Sequence, residues 1–170
     1  ETIQVKFPTP HLVRADYNFS ESLPGFINQL ERALDGYEFR WGEPAPPGVL
    51  AMARYSPSWY QLNEADREPR EIGAAGLLRS MLLKRFESSP RAFGQTCKKM
   101  ANSHEGLVDM IENQGKVAIG GALDDWIVTD ADDESLEEWL ADYEDTYQEA
   151  DQFDIENLVA AGRGTAFKNL

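Results

Sequence analysis

Two side chains that could support catalysis or metal binding, Cys97 and His104, lie in one amphipathic stretch of the chain. A thiol and an imidazole can form a nucleophile and base pair, or can share a zinc ion. Their separation corresponds to about 10.5 Å of rise along a helix, which is too long for a direct hydrogen bond. The other histidine, His11, has no obvious companion. We therefore interpret the pair as a core thiol and an edge histidine, and we predict no catalytic residue and no metal ligand.

Two further segments resemble ligand-binding loops but lack the decisive residues. Asp130–Ser135 begins like a calcium loop, yet Ser135 replaces its glycine and Ala141 stands where the bidentate glutamate is needed. Gly115–Ala122 has the glycine spacing of a phosphate loop, but Gly121 and Ala122 replace its lysine and its serine or threonine. The sequence therefore predicts no cofactor bound through either segment.

A cluster of positive charge is the remaining candidate for chemistry. Residues 67–99 contain eight basic and three acidic side chains. Such a cluster on two consecutive helices can contact the phosphate backbone of a nucleic acid. The alternative is an ordinary solvated face, paired in cis with the acidic residues 124–156. The candidate nucleic-acid contacts are Arg79, Lys84, Arg85, Arg91, Lys98 and Lys99.

Three aromatic residues upstream allow two interpretations. Tyr55, Trp59 and Tyr60 could stack on nucleic-acid bases. Aromatic residues that lie close to prolines more often fill the edge of a core, and this alternative is left open by the sequence.

The elements that must position these residues are predominantly helical. Apolar periodicity predicts a mostly α fold, an irregular helical bundle in a single domain over residues 1–170, with a short extended segment at residues 1–7. Ser89 and Pro90 predict the start of a long helix, because serine is a good N-cap and proline suits the first helical position. The predicted helices cover about residues 23–34, 72–88, 90–114, 134–148 and 153–161, and Gly36 and Gly115 are expected to end the first and third of them.

Charge is distributed unevenly along the chain. The formal net charge is −14, but residues 124–156 contain 15 acidic and no basic residues, so this subregion accounts for the imbalance. The single cysteine favours a reducing, cytoplasmic compartment, and no apolar run is long enough to cross a membrane. Because the chain begins at Glu1 and enters at once into a strand-like pattern, we expect it to be a segment of a larger protein.

The segment Gly76–Phe93 reads GLLRSMLLKRFESSPRAF, and Ala53–Tyr60 reads ARYSPSWY. Together these residues resemble the region between the two motor lobes of bacterial Swi/Snf-type helicase-like ATPases of superfamily 2. In that family, LLKRLESS precedes a short gap and AF, and an ARY segment lies upstream; here Phe86 replaces a leucine. The resemblance spans about residues 51–115.

The resemblance implies a helical accessory domain that braces the motor lobes or contacts duplex DNA. ATP and Mg²⁺ would bind to the motor lobes of the parent protein, and the segment itself would not be an enzyme. The alternative is a protein-interaction or oligomerisation module. In that case the acidic surface, together with an apolar helix seam, would dock a partner or a second copy of the chain. The seam consists of Phe93, Cys97, Met100, His104, Leu107 and Ile111.

Overall fold

A computed structural model describes residues 13–14, 18–34, 46, 48–67, 69–120, 145–163 and 165–170. The described chain is mostly helical, as predicted. The helices are α1 (Phe19–Ser22), α2 (Phe26–Leu34), α3 (Pro69–Ser88), α4 (Pro90–Gln114), α5 (Ile155–Gly162) and α6 (Thr165–Lys168). Two strands, β1 (Lys116–Gly120) and β2 (Asp145–Glu149), form one antiparallel pair. The predicted N-terminal extended segment, Gly36, His11 and the calcium-like loop lie outside the described residues.

A sharp junction at Ser89 separates the two longest helices. The side chain of Ser89 accepts a hydrogen bond from the backbone N–H of Ala92, and Pro90 occupies the first turn of α4. Gly115 ends the same helix in the left-handed conformation, with φ of 65°, which glycine adopts without steric cost. Both predicted ends of α4 are therefore confirmed.

The long helix α4 contributes to two hydrophobic clusters. Its N-terminal half packs with α2, α3 and Phe167 of α6 in a first cluster. Its C-terminal half packs with β1, with Phe153 and with Leu158, which belongs to α5, in a second cluster. The predicted seam is buried along its whole length by Phe93, Cys97, Met100, His104, Leu107 and Ile111. Because the fold itself covers this seam, it is not available as a docking surface.

The irregular segment between α2 and α3 is part of the core. Residues 50–58 are all buried, although they form only short 3₁₀ turns, Ala53–Tyr55 and Pro57–Tyr60. Two hydrogen bonds connect this segment to distant parts of the chain: the backbone N–H of Leu50 donates to the carbonyl of Ala33, and Ser58 donates to the carboxylate of Glu71. This segment links α2, the start of α3 and the second cluster.

The predicted helix over residues 134–148 is wrong at its C-terminal end. Residues 145–149 form β2, in which Tyr147 pairs with Ala118 and Gln148 pairs with Val117. The rest of the predicted helix lies outside the described residues. Pairing with a strand about thirty residues away overrides the local helical periodicity. By contrast, the predicted short C-terminal helix corresponds to α5, and its N-cap is Asp154.

Candidate nucleic-acid interface

The six candidate basic residues occupy different environments on α3 and α4. Lys84, Arg91, Lys98 and Lys99 are exposed. We call these four residues the basic surface. Arg91 and Lys98 are separated by about two helical turns and therefore lie on the same face of α4, while Lys99 lies about 100° further around the helix.

Arg85 does not belong to this surface. Its side chain is buried, with 6% of the residue exposed, and its Nε donates a hydrogen bond to the carbonyl oxygen of Ala92 at 3.4 Å. The guanidinium therefore joins the last turn of α3 to the first turn of α4. The prediction that Arg85 faces solvent and contacts phosphate is corrected by this burial.

Arg79 is also engaged in the fold. Its Nη2 donates to the carbonyl oxygen of Leu50 at 2.8 Å, and burial lowers the pKa of its guanidinium. The hydrogen bond satisfies a carbonyl of the irregular buried segment. The sequence does not distinguish Arg79 and Arg85 from their exposed neighbours, because Arg79 contacts a buried segment without regular periodicity and Arg85 is buried where α3 meets the first turn of α4.

Three phenylalanine rings hold the junction that presents the basic surface. The ring centroids of Phe86 on α3 and Phe93 on α4 lie 5.4 Å apart, and the ring of Phe26 on α2 contacts both, at 5.3 and 6.3 Å. Tilted and edge-to-face aromatic contacts of this kind stabilise a fixed crossing of the elements that carry them. Lys84 and Arg91 therefore lie on helices that meet at a packed junction and not on a loop.

The charges of α4 are opposite to those that a helix dipole favours. Its first turn contains Arg91 and no acidic residue, and its last turn contains no basic residue. Positive side chains are destabilising near a helix N-terminus, where the dipole is positive. In its C-terminal half, Glu105 forms an ion pair with Lys168 of α6, and Glu112 forms an ion pair with Arg163. The structure thus compensates the acidic half of α4 from within the chain.

The aromatic residues upstream are not a stacking platform. Tyr55 and Tyr60 are buried, with 2% and 8% of each residue exposed, and Trp59 is half-buried against the second cluster. Of the two interpretations of these aromatic residues, the structure confirms that they fill the core.

The environments of Cys97 and His104 do not suit catalysis. Burial raises the pKa of the Cys97 thiol to about 12, so the thiol is protonated at neutral pH, whereas a nucleophilic cysteine needs a lowered pKa. The sequence predicts that His104 lies at the edge of the core, and this prediction is wrong, because the residue is fully buried. Within the described residues, no group of three histidine, cysteine or acidic side chains could hold a metal ion.

A polar cleft of about 510 Å³ lies away from the basic surface, between the 3₁₀ turns, β1 and β2. Its lining includes the side-chain amide of Gln61, whose Nε2 donates to Oε1 of Gln148 at 2.9 Å. Oε1 of Gln61 is buried and has no hydrogen-bond partner among the described residues. The glycine-containing segment after α4 is accounted for by the helix cap at Gly115 and by β1.

Comparison of the chain with protein-family models, with curated proteins and with solved structures finds no match. The part of the chain that the structure describes contains no helix long and apolar enough to span a membrane.

Proposed function

We propose that this chain is a helical accessory domain of a DNA-dependent helicase-like ATPase, and that it contacts nucleic-acid phosphates through the basic surface. The proposal combines the resemblance of residues 51–115 to the inter-lobe region of Swi/Snf-type ATPases with the exposure of Lys84, Arg91, Lys98 and Lys99. The motor lobes of the parent protein would bind ATP and Mg²⁺ and carry out hydrolysis.

The observation that carries the proposal is the contrast between the charges at the two ends of α4. Acidic residues near its C-terminus have partners on the C-terminal part of the chain. Arg91, near its N-terminus, opposes the helix dipole and is exposed. Positions that lower stability without a local benefit are expected at functional sites. An anion placed against this end of α4 would be favoured both by the dipole and by the basic side chains.

Fluorescence anisotropy with labelled duplex DNA, over a series of salt concentrations, tests this function. Each phosphate contact contributes about −0.9 to the slope of log affinity against log salt. We therefore expect Lys98→Gln to weaken binding to all duplex sequences and to make the slope less negative by about 1.

Lys116→Gln is the matched control. Lys116 is exposed and follows the C-terminal end of α4, about 24 Å along the helix from Lys98, so the same change in net charge is made away from the basic surface. Equal weakening by both variants would show that net charge alone drives binding. Absence of binding by the unmodified protein at low salt would exclude the contact with DNA.

A further inference from the structure

The side chain of His104 is completely enclosed in the middle of α4. The ring lies between Tyr55, with centroids 5.4 Å apart, and Phe167 of α6, with centroids 4.8 Å apart. Nδ1 lies 2.8 Å from the carbonyl oxygen of Met100; because a carbonyl only accepts, Nδ1 carries the proton and donates it. Nε2 is buried and has no hydrogen-bond partner in the part of the chain that the structure describes.

A proton on Nε2 would create a buried positive charge at an atom that has no hydrogen-bond acceptor within the residues that the structure describes. Three basic residues lie on the elements around the ring. Arg54 is on the same turn as Tyr55, Lys168 is next to Phe167 and pairs with Glu105 of α4, and Arg163 follows α5 and pairs with Glu112. Burial is the main cause that lowers the pKa of His104, to about 4, and the charge of Arg54 acts in the same direction. The hydrogen bond to Met100 opposes this shift but is weaker.

The two aromatic neighbours of His104 differ in how firmly they are held. The turn that contains Tyr55 packs against α3, α4, α5 and β1, so moving it would disturb both hydrophobic clusters. The helix α6 has only four residues, Thr165–Lys168. Its anchors include Phe167 and Leu170 in the first cluster, packing along α4, the pair between Lys168 and Glu105, and a hydrogen bond from Gln29 Nε2 to the carbonyl oxygen of Asn169. A helix of about one turn opens at a lower free energy than a long core helix.

We propose that protonation of His104 releases Thr165–Leu170 from α4, so that this C-terminal segment is a pH-sensitive latch. Release exposes the imidazole to water, where its pKa returns towards the ordinary value of 6.5. The docked state disfavours the proton, so docking is fully stable above pH 6.5 and weakens as the pH falls. The ratio of docked to released protein then decreases by up to about tenfold per pH unit until the pKa of the docked state, about 4, is reached.

Nuclear magnetic resonance of the whole chain tests the latch directly. In a His11→Gln background, His104 gives the one imidazole signal, and its titration can be followed beside the backbone order of residues 165–170. We expect these residues to lose order at the pH midpoint at which His104 titrates, while α4 and α5 remain ordered. Retention of order in residues 165–170 after His104 is protonated, or simultaneous unfolding of all helices, would overturn the proposal.

Two variants separate the latch from other effects of acid. Coupling between a proton and a conformation is reciprocal, so Phe167→Ala, which removes the covering ring, should raise the pKa of His104 by at least about one unit. His104→Gln retains an amide donor for Met100 but does not titrate, so residues 165–170 should stay docked at pH 5. Release of the segment from His104→Gln with an unchanged pH profile would show that a different group controls the segment and would contradict the proposal. If this variant does not fold, the titrations of the unmodified chain and of Phe167→Ala still decide.

Discussion

The two halves of α4 use charge differently, although one continuous helix joins them. In the C-terminal half, Glu105 and Glu112 are paired with basic residues from the end of the chain. In the N-terminal half, the exposed basic side chains begin at Arg91, which faces the positive end of the helix dipole. The apolar faces are equally well buried in both halves. The difference teaches that burial defines the fold of α4 along its whole length, whereas the sign of the surface charge distinguishes its structural half from its candidate binding half.

The largest expected effect is on stability, and it tests whether the two hydrophobic clusters form one cooperative unit. Phe93→Ala in the first cluster should cost about 3–5 kcal/mol, and Leu107→Ala in the second about 2–5 kcal/mol. Because α4 runs through both clusters, urea denaturation should show a single transition for each variant with an unchanged m-value. A second transition in either variant would show that the clusters unfold independently and would weaken the comparison between halves of one element.

A smaller effect distinguishes Arg85 from its neighbour Lys84. Arg85→Met keeps the apolar stem but removes the hydrogen bond to Ala92, and should lower the free energy of unfolding by about 1–2 kcal/mol. Its affinity for duplex DNA should stay within twofold of the unmodified protein at a protein concentration and temperature at which both are folded. Lys84→Met should show the reverse, with unchanged stability and weaker binding. If Arg85→Met and Lys84→Met weakened binding to duplex DNA equally, Arg85 would be part of the interface after all.

The contrast between these adjacent residues shows what could be predicted from the sequence. The ends of α4 follow from Ser89, Pro90 and Gly115, whose local conformational preferences coincide with the final structure. The burial of Arg85 does not follow, because its hydrogen bond to Ala92 depends on how the last turn of α3 meets the first turn of α4, which the periodicity of neither helix specifies. The strand pair was missed for a related reason: β2 is specified by pairing with β1, not by its own periodicity.

The structural half of α4 can be tested through its contact with α5. A Cβ atom added at Gly162 would lie 3.0 Å from Cγ2 of Val108 and 3.8 Å from Cδ2 of Leu107. Gly162→Ala should therefore destabilise the chain by about 1 kcal/mol, since the cost of overpacking exceeds the gain in helix propensity. Thermal and urea denaturation measure the change. Gly106→Ala is the control, because nothing lies within 4 Å of a Cβ atom added at Gly106. The free energy of unfolding of this variant should be unchanged or higher.

The smallest expected effect has the opposite sign and separates function from structure most clearly. Arg91→Glu places a negative charge in the first turn of α4, where it interacts favourably with the helix dipole, and should raise the free energy of unfolding by about 0.3–1 kcal/mol at low salt. The same change reverses the charge of the basic surface and should weaken binding to duplex DNA. If Arg91 were retained for structural reasons, Arg91→Glu would lower the free energy of unfolding and leave the affinity for duplex DNA unchanged. Arg91→Gln should be intermediate in both measurements, because it removes the unfavourable charge without introducing a favourable one. Urea denaturation and anisotropy on the same preparations therefore decide whether this end of α4 maintains its positive charge for an anionic partner at the expense of its own stability.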